Sequence, residues 1–169
     1  MVNKATQEMR DNEGKKFRES DALFNPFYTA ALISTACFSN SENNGSGIAW
    51  PSAYLLLPIV LHPRTVSTIK TNKRITLSRW AIDNKSVLGD INRRVVMMAP
   101  YTLNGIRTAM RYEHVEVSRG HIKSVVSPRK TLRGLSPEVT RSVKAAAVFG
   151  RWMAQTDIEQ QFFYLGLER

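Results

Sequence analysis

The chain predicts a mainly α fold, a compact multi-helix domain with a winged-helix-like segment and one β-hairpin. Apolar residues recur at helical spacing in segment after segment between Pro26 and Leu165. One short passage alternates instead: Val115 and Val117 precede Arg119-Gly120, and Ile122 follows. The third observation is an apolar run, Tyr54 to Leu61, held between Pro51 and Pro63. It is too short to cross a bilayer, which takes roughly 20 residues, so it reads as a buried core helix.

Residues 1–19 read as a flexible charged arm with no apolar signal segment, and 20–169 as a single domain with enough chain to bury a sizeable core. Asn25 is an N-cap and Pro26 a first helical residue, opening a helix to about Phe38 with Phe27, Ala30, Ala31, Ser34 and Phe38 as its apolar face. SNSENNGSG, residues 39–47, reads as a loop. The run from Pro51 to about Leu61 should kink at Pro58, because proline removes a ladder bond and collides with the turn before it. Its leucines, Ile59 and Val60 surround the helix, so burial of all of them needs neighbours on every side, the first helix among them.

A helix from about Asn72 to Asp83 would turn Ile75, Ser78, Ala81 and Ile82 inward. Ser86 can cap another to about Met98, and Pro100 can open a third carrying Leu103, Ile106 and Met110. With Arg119-Gly120 as a two-residue turn, Val117 faces Ile122 and Glu116 faces Lys123. Three helices and then a hairpin make residues 72–126 the winged-helix-like segment. Ser136-Pro137-Glu138 starts a helix to about Gln155, and a last one runs from Asp157 to about Leu165, with Gly166 as its C-terminal cap.

The formal charge of +10 is unevenly placed. Residues 51–134 hold fifteen Lys/Arg against four Asp/Glu, while the remainder is near balance. Such a surface favours polyanions through counterion release, or an acidic protein partner. Lys123, Arg129, Lys130 and Arg133 are the candidate nucleic-acid contacts. Arg93, Arg94 and Arg119 are candidate partner contacts; one of the Arg93-Arg94 pair must lean inward, where a snorkelling side chain is favoured over one reaching a partner's carboxylate.

No catalytic or metal constellation is legible. Carboxylates do not cluster, no phosphate loop is present, and Gly45-Ser46-Gly47 lacks the spacing of a nucleophile elbow. His114 and His121 flank the hairpin without a third ligand, and His62 ends an apolar helix. Cys37 is alone, which excludes an internal disulfide and suggests a small core residue. No cofactor is implied, and a reducing cytoplasm fits best.

Asn25-Pro26, the WPSAYLLLPIVLHPR run at 50–64, Leu77-Ser78-Arg79-Trp80, Arg93-Arg94, Ala99-Pro100-Tyr101-Thr102 and Leu165-Gly166-Leu167 recur in a familiar order. In that order they resemble the middle components of bacterial three-component ABC systems, including Lamassu-type anti-phage and anti-plasmid defence. The resemblance covers Asn25 to about Lys123, and the last thirty or so residues loosely. It implies a non-catalytic adaptor in a protein complex. Its partners would be a dimeric SMC-like ABC ATPase and a nuclease-type effector, with double-stranded DNA met directly or through the complex and no membrane. The alternative is a stand-alone winged-helix DNA-binding regulator, which would usually dimerise on two half-sites.

Overall fold

The computed structural model describes residues 24–43, 45–71, 74–127 and 135–167. The arm expected at 1–19 lies outside them.

Helix α1, Pro26–Glu42, starts as predicted, with the Asn25 side chain accepting from the Phe27 N–H at 2.9 Å and proline next in line. It runs past Phe38 into the expected loop because its small polar residues find partners. Ser39 Oγ donates to the Ala147 carbonyl at 2.6 Å, Asn40 Nδ2 to that of Gly150 at 3.3 Å, and Ser41 Oγ to that of Cys37 at 3.2 Å. The expected face is corrected as well. Phe27 is 61% exposed and Ala31 exposed, whereas Thr29, Leu32, Ile33, Ala36 and Cys37 are buried. α1 is clasped between two long helices, so no single stripe describes it.

A short strand β1, Ile48–Ala49, leads into α2, Trp50–Ala53, and α3, Leu56–Val60. The break predicted at Pro58 falls four residues earlier, at Tyr54–Leu55. Proline supplies no N–H to the carbonyl four residues back, and its ring crowds that carbonyl, so the discontinuity appears at Tyr54 while Pro58 sits comfortably in a first turn. Leu55, Leu56, Leu57, Ile59 and Val60 are all essentially inaccessible, as their all-round placement requires. His62 is extended before Pro63, and α4, Pro63–Val66, follows.

Helix α5, Leu77–Asp83, is shorter than expected: Arg74–Thr76 are not helical, and Thr76 caps through Oγ1 to the Arg79 N–H at 3.3 Å. Leu77, Trp80 and Ala81 are buried, and Ile82, expected inward, is 59% exposed. After a 3₁₀ turn at Lys85–Val87 comes α6, Ile91–Arg111, a single helix through Pro100. The carbonyl orphaned by Pro100 belongs to Val96, which is 75% exposed, so water can complete it and the helix continues. The two helices expected either side of Pro100 are therefore one, and the described part of 72–126 does not hold three helices ahead of its hairpin.

The hairpin has the predicted register. β2, Val115–Ser118, and β3, His121–Ser124, pair antiparallel with Val117 opposite Ile122 and Glu116 opposite Lys123. Arg119 and Gly120 both have positive φ, 51° and 75°, the type I′ turn that matches strand twist. β1 adds to β3, giving sheet order β1-β3-β2.

Helix α7, Pro137–Gln155, has the predicted bounds, with Ser136 accepting from the Val139 N–H. α8, Ile158–Tyr164, ends in the predicted glycine cap: Leu167 N–H bonds the Phe162 carbonyl and Gly166 N–H that of Phe163, with Gly166 at φ 71°.

Helices α6 and α7 organise the core, since α1 and α3 each touch both. Toward the start of the two long helices Arg94 reaches Pro58 and Ser142 reaches Val60. Toward their ends Gly105 lies against Thr29 and Gly150 against Ala36. The expected partnership of α1 and α3 is thus mediated by these helices. Trp80 and Trp152, with centroids 4.9 Å apart, close the side under α5, and Trp152 Nε1 donates to the Ile75 carbonyl at 2.7 Å.

Candidate functional site

Of the adjacent arginines at the start of α6, Arg94 faces inward and Arg93 outward. Arg94 Nε donates to Asp90 Oδ1 at 3.0 Å, Nη1 to the Pro58 carbonyl at 2.6 Å and Thr65 Oγ1 at 3.0 Å, and Nη2 to the Val87 carbonyl at 2.6 Å. One guanidinium therefore ties α3, α4 and the 3₁₀ turn to α6. Neither alternative foreseen for it, snorkelling or reaching a partner carboxylate, describes this geometry. The side chain is only 7% exposed, and its donors are committed within the chain. Arg94→Met should lower stability by about 2–4 kcal/mol, because buried carbonyls lose their donors. Arg93→Met should change it by less than about 0.5 kcal/mol. Paired urea melts of the two variants make the comparison.

Thr65 accepts from Arg94 and lies 2.6 Å from His62 Nδ1. The Thr65 hydroxyl in turn donates to the Val87 carbonyl at 3.4 Å. Burial, followed by the Arg94 charge, lowers the His62 pKa and favours the neutral imidazole. His62, which ends the apolar run, thus braces the Arg94 cluster through Thr65.

Lys123 sits half-buried on β3, directly across from Glu116, and Arg119 is exposed at the hairpin tip. Arg129, Lys130 and Arg133 lie outside the described residues. The structure does not bring Lys123, Arg93 and Arg119 into one cluster through any hydrogen bond or ion pair among the described residues.

Ser46, His121 and Asp157 line one surface cleft, yet among the described residues no hydrogen bond joins any two of them. His121 Nδ1 faces the Arg119 carbonyl at 3.0 Å. No group of three His, Cys, Asp or Glu side chains suited to a metal occurs among the described residues. Cys37 is buried in α1, and desolvation pushes its thiol up to about 12. It should resist a thiol reagent such as DTNB at pH 8 and react fully in 6 M guanidinium; fast native labelling would show that α1 opens.

Sequence reasoning missed the buried polar side chains that pin the helices. Asn40 accepts from the Gly47 N–H at 3.0 Å while donating to Gly150. Ser52 donates to Gln161 Oε1, and Gln161 in turn donates to the Thr156 carbonyl at 2.6 Å. Asn40 lies in the 39–47 segment that reads as a loop, and nothing local marks Ser52 or Gln161 as buried partners. The outer face of α6 was also missed. Val96, Met97 and Tyr101 stand exposed there, Phe24 stacks on Tyr101 at 4.1 Å, and Phe27 meets Tyr112 at 5.5 Å.

Among the described residues no helix is long and apolar enough to cross a membrane. Comparisons with curated proteins and with solved structures return no match. A family model does match, over residues 14–169, nearly the whole chain. By that match the chain belongs to the family of ABC-three component (ABC-3C) system Middle Component 3, one part of a multi-component assembly.

Proposed function

We propose that the chain is a non-catalytic adaptor between an SMC-like ABC ATPase dimer that senses DNA and an effector subunit of nuclease type, in a Lamassu-like defence setting in the cytoplasm. The observation that carries this reading is the family match across residues 14–169, because a middle component has sister components to meet. The chemistry of the chain is consistent with it. The interior polar groups Arg94, Ser142, Trp152 and Asn40 are bonded to main-chain carbonyls. Such groups hold helices together, and they leave recognition to the surface. The basic excess between residues 51 and 134 gives that surface a polyanion-facing character.

The test is reconstitution with the ATPase and effector of the same system. The chain should co-elute with both, and alone it should neither hydrolyse ATP nor cut DNA. Metal-dependent cleavage that survives repurification would overturn the adaptor reading. For the DNA element, joint reversal of Arg129, Lys130 and Arg133 to Glu should weaken duplex binding by the assembled complex and flatten its salt dependence. An unchanged affinity and salt slope would remove direct DNA contact by those three residues.

A further inference from the structure

We infer that the outer face of α6 is a docking surface for an acidic amphipathic helix presented by a sister component. The inference rests on the adaptor reading and deepens it by naming the surface and the chemistry of its occupant.

Helix α6 carries four arginines and no acidic residue. Arg94 turns inward to Asp90; Arg93, Arg107 and Arg111 turn outward, and none of them joins an ion pair among the described residues. Arg111 has a local reason to be where it is, since a cation in the last turn complements the helix dipole. Arg93 has none. It stands in the first turn, beside the positive end of the dipole, where a cation is unfavourable. A cation that opposes the local preference, with no ion pair among the described residues, points to compensation from a partner.

Between these cations lie Val96, 75% exposed, Met97, 59%, and Tyr101, 40%. Single exposed apolar side chains are ordinary. Here they share one helical face, and Phe24 extends the patch by stacking on Tyr101. The face from Arg93 to Arg111 spans about 27 Å at 1.5 Å per residue, enough to seat a partner helix of five turns. Its pattern is a cation at one end, an apolar middle and two cations at the other. A helix with an apolar stripe flanked by Asp or Glu is complementary to it on both counts. Charge complementarity would set orientation and encounter rate, and the covered apolar side chains would supply the burial. Duplex DNA would satisfy the arginines but gain nothing from covering Val96 and Met97.

The experiment measures affinity of the full chain for each purified sister component, and for a 30-base-pair duplex, in three forms. These are the parent, a charge variant (Arg93→Glu, Arg107→Glu, Arg111→Glu) and a polar variant (Val96→Ser, Met97→Ser), each checked by thermal melting. Both variants should melt like the parent and bind one sister component at least tenfold more weakly, and Lys at the three arginine positions should restore part of the loss. Should the charge variant fold poorly, the polar variant decides alone. Parental affinity for both components in the polar variant would overturn the docking inference and leave the adaptor reading standing. A parent chain that binds neither component would overturn both. Loss of duplex binding in the charge variant, with component binding intact in both variants, would assign the face to nucleic acid and overturn the inference.

Discussion

Leu56→Asp is expected to leave the chain unfolded at 25 °C. Leu56 is 1% exposed in α3, and its neighbours Leu55, Leu57, Ile59 and Val60 are equally inaccessible. Losing a buried leucine costs about 2.7–5 kcal/mol. The carboxylate that replaces it would stand in the apolar core, where an unpaired buried charge adds several kcal/mol or forces its own protonation. The sum reaches or exceeds the roughly 5–15 kcal/mol that holds a domain together. Circular dichroism should show loss of helix and of a cooperative melt. Lys123→Glu is the contrast. It places two acids directly across the hairpin at Glu116 and should cost no more than about 1 kcal/mol. If Leu56→Asp melts like the parent yet loses its partners, the apolar run is a docking stripe and not core.

Gly150→Ala is expected to be destabilising by at least about 3 kcal/mol, although helix propensity alone favours alanine by about 1 kcal/mol. The sign follows from the helix crossing. A Cβ at Gly150 would overlap the Ala36 carbonyl oxygen, and main chain cannot rotate away as a side chain can. α1 and α7 would have to separate, loosening Phe149 and Trp152 and stretching the Asn40 bond to the Gly150 carbonyl. Gly89→Ala is the internal control, since nothing lies within 4 Å of a Cβ there. Chemical melts of the pair should diverge in midpoint, with Gly89→Ala at or above the parent. A neutral Gly150→Ala would mean that the two helices are not in close contact.

Features set by neighbours in sequence were legible. The hairpin register follows from alternation about a turn that tolerates positive φ, and α7 follows from Ser136, Pro137 and an alanine-rich run. The caps at Asn25 and Gly166 were likewise legible. Features set by distant residues were not. Nothing near Ser39, Asn40 and Ser41 says that the Ala147 and Gly150 carbonyls will receive two of them, so a helix end read as a loop. Pro100 reads as a helix start unless its orphaned carbonyl is known to face water. α1 showed an apparent stripe because a helix buried on two sides offers several, and the one containing Phe27 was the wrong choice. For the candidate interface, the pair Arg93-Arg94 was visible, but which of them faced in depended on Pro58 and Val87. The outer stripe of α6 was hidden by splitting that helix at Pro100, which broke the run from Arg93 to Arg111 into two unremarkable halves.

The clasp around α1 also governs the order in which the chain can mature. Ser39 and Asn40 meet their carbonyl partners 108 and 110 residues later. At a synthesis rate of about 5–20 residues per second, α1 and α3 exist on the order of ten seconds before α7 does. During that interval one wall of the core is missing and the apolar run around Leu56 is uncovered, a state open to chaperones and to aggregation. Contacts this remote also slow folding relative to a helical bundle with local connections. Chains truncated before Pro137 should accumulate as insoluble material or bound to holdases, so the arrival of α7 marks the moment at which the core can close.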